Sequence, residues 1–331
     1  MGSVPAFSPC RKNCNEVWGL TAETDCLAAA GAHIRALMRY PAMLLSCVLA
    51  CAAVRADEGW KPLWNGKDLS GWSVWLTKPH ASVVVDGLAK DEKGNYTQPL
   101  GTRDPLGVFS VTNVDGQPAI HVSGQVFGEL RTKDSFSNYH LRLQFKWGEK
   151  KWPPRDKPGT QRDSGLLYHV HAAPGAEGRT WARSIELQIQ ERDVGDLYSI
   201  GATIYVRSKL RDGTGTAANP KPVYDYDPKG AWNVFAQVPG MDGRCVKQPD
   251  AEKPTGEWNT VELVCLGEDS IHIVNGKVVM RLHGPRQIDT PTPQPVTAGP
   301  LILQSEGAEL YYRAVEIRPI TAVPAEFVSS N

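Results

Sequence analysis

The sequence predicts an all-β chain folded as a two-sheet antiparallel β-sandwich or jelly roll. Three observations carry this. From Trp60 onward no apolar pattern repeats with the 3.6-residue period of a long helix. Short alternating runs are instead separated by Gly, Pro, Asn and Asp. Asn275-Gly276, between the apolar runs 271–274 and 277–280, has the composition of a type I′ hairpin turn, whose two central residues both need positive φ.

The elements follow in order. Residues 139–147 put Leu141, Leu143, Phe145 and Trp147 on one face of a strand, and His140, Arg142, Gln144 and Lys146 on the other. Residues 184–190 divide in the same way, with Ile185, Leu187 and Ile189 opposed to Glu186, Gln188 and Gln190. Residues 258–266 and 270–281 read as a meander, and 301–304 and 310–317 as the closing strands. The Pro- and Gly-rich stretches 150–161, 214–229 and 285–300 read as long loops, which in compact folds are functional or mobile. No internal repeat or linker divides the chain, so one sandwich domain is expected over 57–320, with a tail over 321–331.

The N-terminus is of a different kind. Residues 1–37 are rich in Cys, Ala and Gly and hold no sustained period. A positive start at Met38-Arg39, an apolar stretch 41–54 and small residues at Val54 and Ala56 then describe a secretory signal peptide over about 38–56. Its apolar core is too short to span a membrane. Residues 1–56 are therefore expected to be an upstream extension followed by a leader, and the protein to be periplasmic or secreted. A lipoprotein reading through Cys51 is weaker, because Leu49 is bulky where a small residue is wanted. Five of the seven Cys precede Asp57. Cys245 and Cys265 remain, paired or free. Lys plus Arg equal Asp plus Glu at 36 each, which argues against nucleic acid as a partner. The ten Trp suit stacking on sugar rings as well as core packing.

Four constellations can carry chemistry. Glu186, Gln188 and Gln190 share a strand face, and one carboxylate beside two amides suits hydroxyl recognition. Asp163-Ser164-Gly165-Leu166-Leu167-Tyr168-His169-Val170-His171 sets His169 and His171 on one face by alternation, for general base work or for a divalent metal ion. Asp193-Val194-Gly195-Asp196 reads either as a calcium-binding turn or as a turn closed by its own side chains. Gln304 and Glu306 point the same way if their strand continues through Ser305.

Four segments in order resemble the 3-keto-disaccharide hydrolase family. They are Leu63-Trp64-Asn65-Gly66-Lys67-Asp68-Leu69-Ser70-Gly71-Trp72, the run from Asp163 to His169, the strand from Glu186 to Glu191, and Gly299-Pro300-Leu301-Ile302-Leu303-Gln304-Ser305-Glu306-Gly307. Trp258-Asn259-Thr260 and the Asn275-Gly276 hairpin also fit. The resemblance implies a concanavalin-like lectin or glucanase fold. It also implies a hydrolase or lyase acting on glycosides already oxidised to a ketone at C3. Two positions depart from many members: His169 stands where Arg is common, and Glu306 where His is common.

Standard retaining hydrolysis needs two carboxyls about 5–5.5 Å apart, and the Glu186 strand offers one on its face. A C3 ketone relaxes that requirement by acidifying the C2 proton, so one base suffices. Glu186 or His169 is then the expected base. Gln188, Gln190, Gln304 and Glu306 are the expected sugar ligands. Arg131, Lys146 or Arg162 is the expected partner of the ketone, or a metal ion on His169 and His171 takes that part. A carbohydrate-binding module without turnover and a conventional endo-glucanase are the alternatives, the latter with Glu306 facing Glu186.

Overall fold

The computed structural model describes residues 59–237, 243–288 and 291–328, all within one compact unit, Arg55–Asn331. The expected extension and leader, 1–56, lie outside the described residues. Eighteen strands follow one another. The first six are β1 (Lys61–Pro62), β2 (Trp72–Leu76), β3 (Phe109–Val114), β4 (Gln117–Val122), β5 (Gly128–Thr132) and β6 (Tyr139–Lys151). Next come β7 (Asp163–Tyr168), β8 (Ser184–Gln190), β9 (Leu197–Ile200), β10 (Ala202–Leu210), β11 (Tyr224–Tyr226) and β12 (Ala231–Ala236). The last six are β13 (Arg244–Cys245), β14 (Asn259–Leu266), β15 (Asp269–Val274), β16 (Lys277–Gln287), β17 (Ile302–Ser305) and β18 (Ala308–Pro319). Among the described residues the only helical pieces are two short 3-10 turns, Ala176–Gly178 and Ala325–Phe327.

The strands form two antiparallel sheets. One has 11 strands, with β11-β10-β16-β15-β14-β6-β18-β4-β3 as its main path; the other has 7, in the order β13-β9-β8-β7-β17-β5-β2. Alternation decides what lies between them. Leu141, Leu143 and Phe145 of β6 meet Leu166 of β7, Leu187 of β8 and Leu303 of β17 in one apolar core. Each such side chain contributes about 1.5–3 kcal/mol on burial. The Asn275-Gly276 turn joins β15 to β16 with both residues at positive φ, 49° and 75°. The tail is partly anchored, since Phe327 packs on Val264, Ile271 and Ile273.

Strand β7 is also tied through the core by polar bonds. Tyr168 Oη lies 2.9 Å from Ser270 Oγ and 3.0 Å from His272 Nε2, both on β15 of the larger sheet. Ser164 Oγ lies 2.8 Å from Tyr312 Oη of β18. A buried hydroxyl without a partner costs about 1–3 kcal/mol, so these contacts fix which residues of β7 face inward.

Cys245 and Cys265 are free and buried, one in each sheet.

Candidate functional site

The face of the smaller sheet turned away from the core is polar. Register assembles it: Asp163 pairs with Gln190, Gly165 with Gln188 and Leu167 with Glu186 across β7 and β8. Gln304 pairs with Glu129 and Ile302 with Arg131 across β17 and β5, and Trp75 of β2 follows beside Glu129. Paired residues share a face, so Trp75, Glu129, Gln304, Gly165 and Gln188 form a row across five strands. Gly165, in the middle, leaves a hollow. A Cβ there would lie 2.0 Å from Glu186 Oε1 and 2.5 Å from Gln304 Oε1, so both side chains converge on the space above it.

These groups are covered as well as gathered. Glu129 and Gln304 are 0% exposed, and Glu186 and Gln188 are 5% exposed. The segment between β7 and β8 folds over them. Val170 and Ala182 pack on Leu167, Ile200 and Ile302, and the Ala182 N–H donates to Glu129 Oε1 at 2.7 Å. Arg131 Nη1 donates to the Ala172 carbonyl at 2.8 Å. Glu129 Oε2 and both amide atoms of Gln304 meet no partner among the described residues. Buried polar groups are rarely left so, and such gaps mark ligand or water positions. Gln188 Oε1 accepts from the Ile189 N–H at 2.9 Å.

A second cluster adjoins at the end of β7. Arg155, from the loop after β6, donates to Asp163 and, at 2.9 Å, to Glu306 Oε1. Gln190 Nε2 donates to Asp163 Oδ2 at 2.6 Å.

Burial governs the protons here. It pushes Glu129 up to about 6, against the pull of the Ala182 N–H and Arg131. Burial, then the charges of Glu306 and Asp163, hold Glu186 well above the ordinary carboxylate range. Asp163 is raised by burial and by Glu306, against Arg155. Glu306 is raised by burial, again against Arg155. Both carboxyls are thus raised by burial, Glu129 with Arg131 pulling the other way and Glu186 with Glu306 and Asp163 adding to the rise.

Several expected residues lie elsewhere. Lys146 sits on the outer face of the larger sheet, because it alternates with core-facing Phe145 and Trp147; it pairs with Asp115 at 3.3 Å. Arg162 is bound to Glu191 at 3.0 Å and to the Gly148 carbonyl, so it does not join the row. The alternation that was to bring His169 and His171 together stops when β7 ends at Tyr168. His169 has φ 52°, and burial, with His171 beside it, lowers its pKa to about 4. Among the described residues no group of three or more His, Cys, Asp and Glu is placed to hold a metal ion, although His169 Nδ1 and His171 Nε2 are buried without a partner. The Asp193–Asp196 turn closes on Arg244, 2.6 Å from Asp196 and 3.1 Å from Asp193. Glu306 comes within electrostatic reach of Glu186 but is bound to Arg155.

Glu129, Asp163 and Arg155 were missed as site residues. Glu129 was within reach: two positions before Arg131 on an alternating strand, it must share that residue's face. Arg155 carries no sequence signal in its Pro-rich loop.

Residues 59–318 match the family described as the 3-keto-alpha-glucoside-1,2-lyase-like domain. The chain belongs to this family. As in the sequence reading, the family match spans nearly the whole sandwich of this lyase-like domain. No curated protein matches the chain. Among solved structures, it is similar to a candidate glycosyl hydrolase from Parabacteroides distasonis at 18% identity and a TM-score of 0.41, over 80% of this chain and 94% of that one. It is also similar to the carbohydrate-binding module CBM66 from Bacillus subtilis at 8% identity and a TM-score of 0.34, over 63% of this chain and 91% of that one. Likeness at this level speaks to neither substrate nor activity.

Beside the row lies a cavity of about 570 Å3, between Trp75, Phe127, Pro153, Pro154 and Arg179. Trp75, the cross-strand neighbour of Glu129, is the residue of the row that lines it.

Proposed function

We propose that this lyase-like protein cleaves glycosides carrying a ketone at C3, by removing the C2 proton and expelling the glycosidic oxygen. The observation that carries the reading is that two buried carboxyls, Glu129 and Glu186, stand on one sheet face beside the hollow at Gly165, the first with Arg131 near it and the second with Glu306 and Asp163. Groups whose environments separate their pKa values divide acid and base work. Glu129, ionised, takes the C2 proton. Glu186, neutral, donates a hydrogen bond to the C3 oxygen as the enolate forms. The enolate then collapses: C3=O returns, C1=C2 forms, and the C1–O bond breaks with its electron pair on the leaving oxygen, which takes up a proton. Water adding to the product would give net hydrolysis.

The base expected from sequence is thus assigned to Glu129 in place of Glu186, because burial and then the charges of Glu306 and Asp163 favour the protonated form of Glu186, whereas Arg131 opposes burial at Glu129. Gln188, Gln190 and Gln304 serve sugar hydroxyls. Glu129 and Gln304 are covered by the segment through Ala182, so turnover requires that segment to move. A divalent ion on His169 and His171 is the rival way to polarise the ketone.

Purified protein incubated with 3-keto-glucosides, with and without a chelator, is expected to release aglycone or the second sugar. Absence of release under both conditions removes the claim. The alternative is a carbohydrate-binding module without turnover. That alternative predicts glycan binding without turnover and unchanged affinity in Glu186→Gln. Export belongs to the same proposal: a mature N-terminus at Asp57 supports it, and one at Met1 sinks it.

A further inference from the structure

The cavity at Trp75 has a composition of its own. Trp75 and Phe127 face it with Pro153 and Pro154; Lys78 and Arg179 are the charged residues on its lining, and Arg179 is bound to Glu177 at 3.2 Å, so Lys78 is the cation that stands open to a ligand. Its aromatic walls are held in place. Gly101 and Gly175, at φ 63° and 66°, bring backbone against the Trp75 ring; a Cβ at Gly175 would lie 2.5 Å from the indole. Phe127 stacks on Trp181 at 6.1 Å between centroids, and the next residue, Ala182, holds Glu129. Trp75 itself is the cross-strand neighbour of Glu129. Flat apolar walls select a flat apolar group, and a cationic lining favours an oxygen that acquires negative charge.

We infer that this cavity receives the leaving group, and that the group it is built for is aromatic, departing as a phenolate. The inference rests on the elimination proposed above. The bond changes are those already written, with the electron pair of the C1–O bond settling on a phenolic oxygen near Lys78. No other reactant is required.

The test compares two 3-keto-glucosides of matched leaving-group acidity, one aryl and one fluorinated alkyl. Stacking on an indole corresponds to about tenfold in binding, so wild type is expected to favour the aryl substrate about tenfold in kcat/KM, mainly through KM. Trp75→Leu is expected to erase that ratio. Equal handling of both substrates by wild type, or an unchanged ratio in Trp75→Leu, overturns the inference. If neither substrate reacts, the elimination falls, and the cavity is judged by calorimetry with 4-nitrophenolate. Saturable binding weakened by Trp75→Leu and by the exposed change Lys78→Gln keeps the aromatic assignment. Absence of binding to wild type ends it.

Discussion

Glu129 and Gln304 face each other across neighbouring strands, both fully buried, and between them hold three polar atoms with no protein partner. This pair sits beside the hollow at Gly165, so the smaller sheet carries unsatisfied polarity where it has the least side-chain volume.

Gly165→Ala tests the hollow. The added methyl would stand 2.0 Å from Glu186 Oε1, so Glu186 and Gln304 must shift. Overpacking of this kind costs about 1–3 kcal/mol, and displacement of reacting groups by about 1 Å costs about 100-fold in rate. The expected protein is folded, melts lower and turns over keto-glucoside at about 1% of wild type. Unchanged turnover would separate the hollow from the reaction.

Glu129→Gln is expected to stabilise the protein while disabling it. The folded carboxyl titrates at about 6, above its ordinary 4.5, so folding favours its protonated form. The associated stability is fully present below pH 4.5 and is lost as pH rises through about 6. The loss is about 2 kcal/mol. The amide removes this dependence. Denaturant midpoints should therefore rise relative to wild type at pH 7 and converge near pH 4, and turnover should fall about 100-fold or more.

Arg155→Met withdraws the one cation bound to both Asp163 and Glu306. Breaking a buried charge contact leaves the remaining charges uncompensated, at about 3 kcal/mol. Since burial already raises both carboxyls, the deficit should be larger at pH 8 than at pH 4, because each proton taken up removes a charge that Arg155 offsets. Equal deficits at the two pH values would show that Arg155 acts through packing alone.

The two thiols in the sandwich should be inert in the native state. Cys265 is pushed up to about 12 by burial, and Cys245 is raised for the same reason. Alkylation read by mass spectrometry on the peptides carrying each residue should be absent before denaturation and complete after it.

Much of the fold was legible because alternation is local: Leu187 beside Glu186 declares which way each points. The same rule placed Glu186, Gln188 and Gln190 on one face. It could not say which strand stands next to which, and so the meeting of Gln304 with Glu129, across 175 positions of chain, stayed hidden. It failed at His169 because a left-handed residue ends the strand there. It was silent on Arg155, which reaches the site from an irregular loop. It misplaced Lys146, since alternation within β6 says nothing about which sheet β6 joins.

The bonds from Tyr168 and Ser164 through the core have an evolutionary reading. They index β7 from behind, so that its inward residues hold register whatever stands on its outward side. Asp163 and Gly165 can then be exchanged without the strand slipping by one position and turning its apolar residues outward. A sandwich keyed in this way can trade one sugar chemistry for another on the same backbone, and sequence divergence on the front of β7 is where such trades would be written.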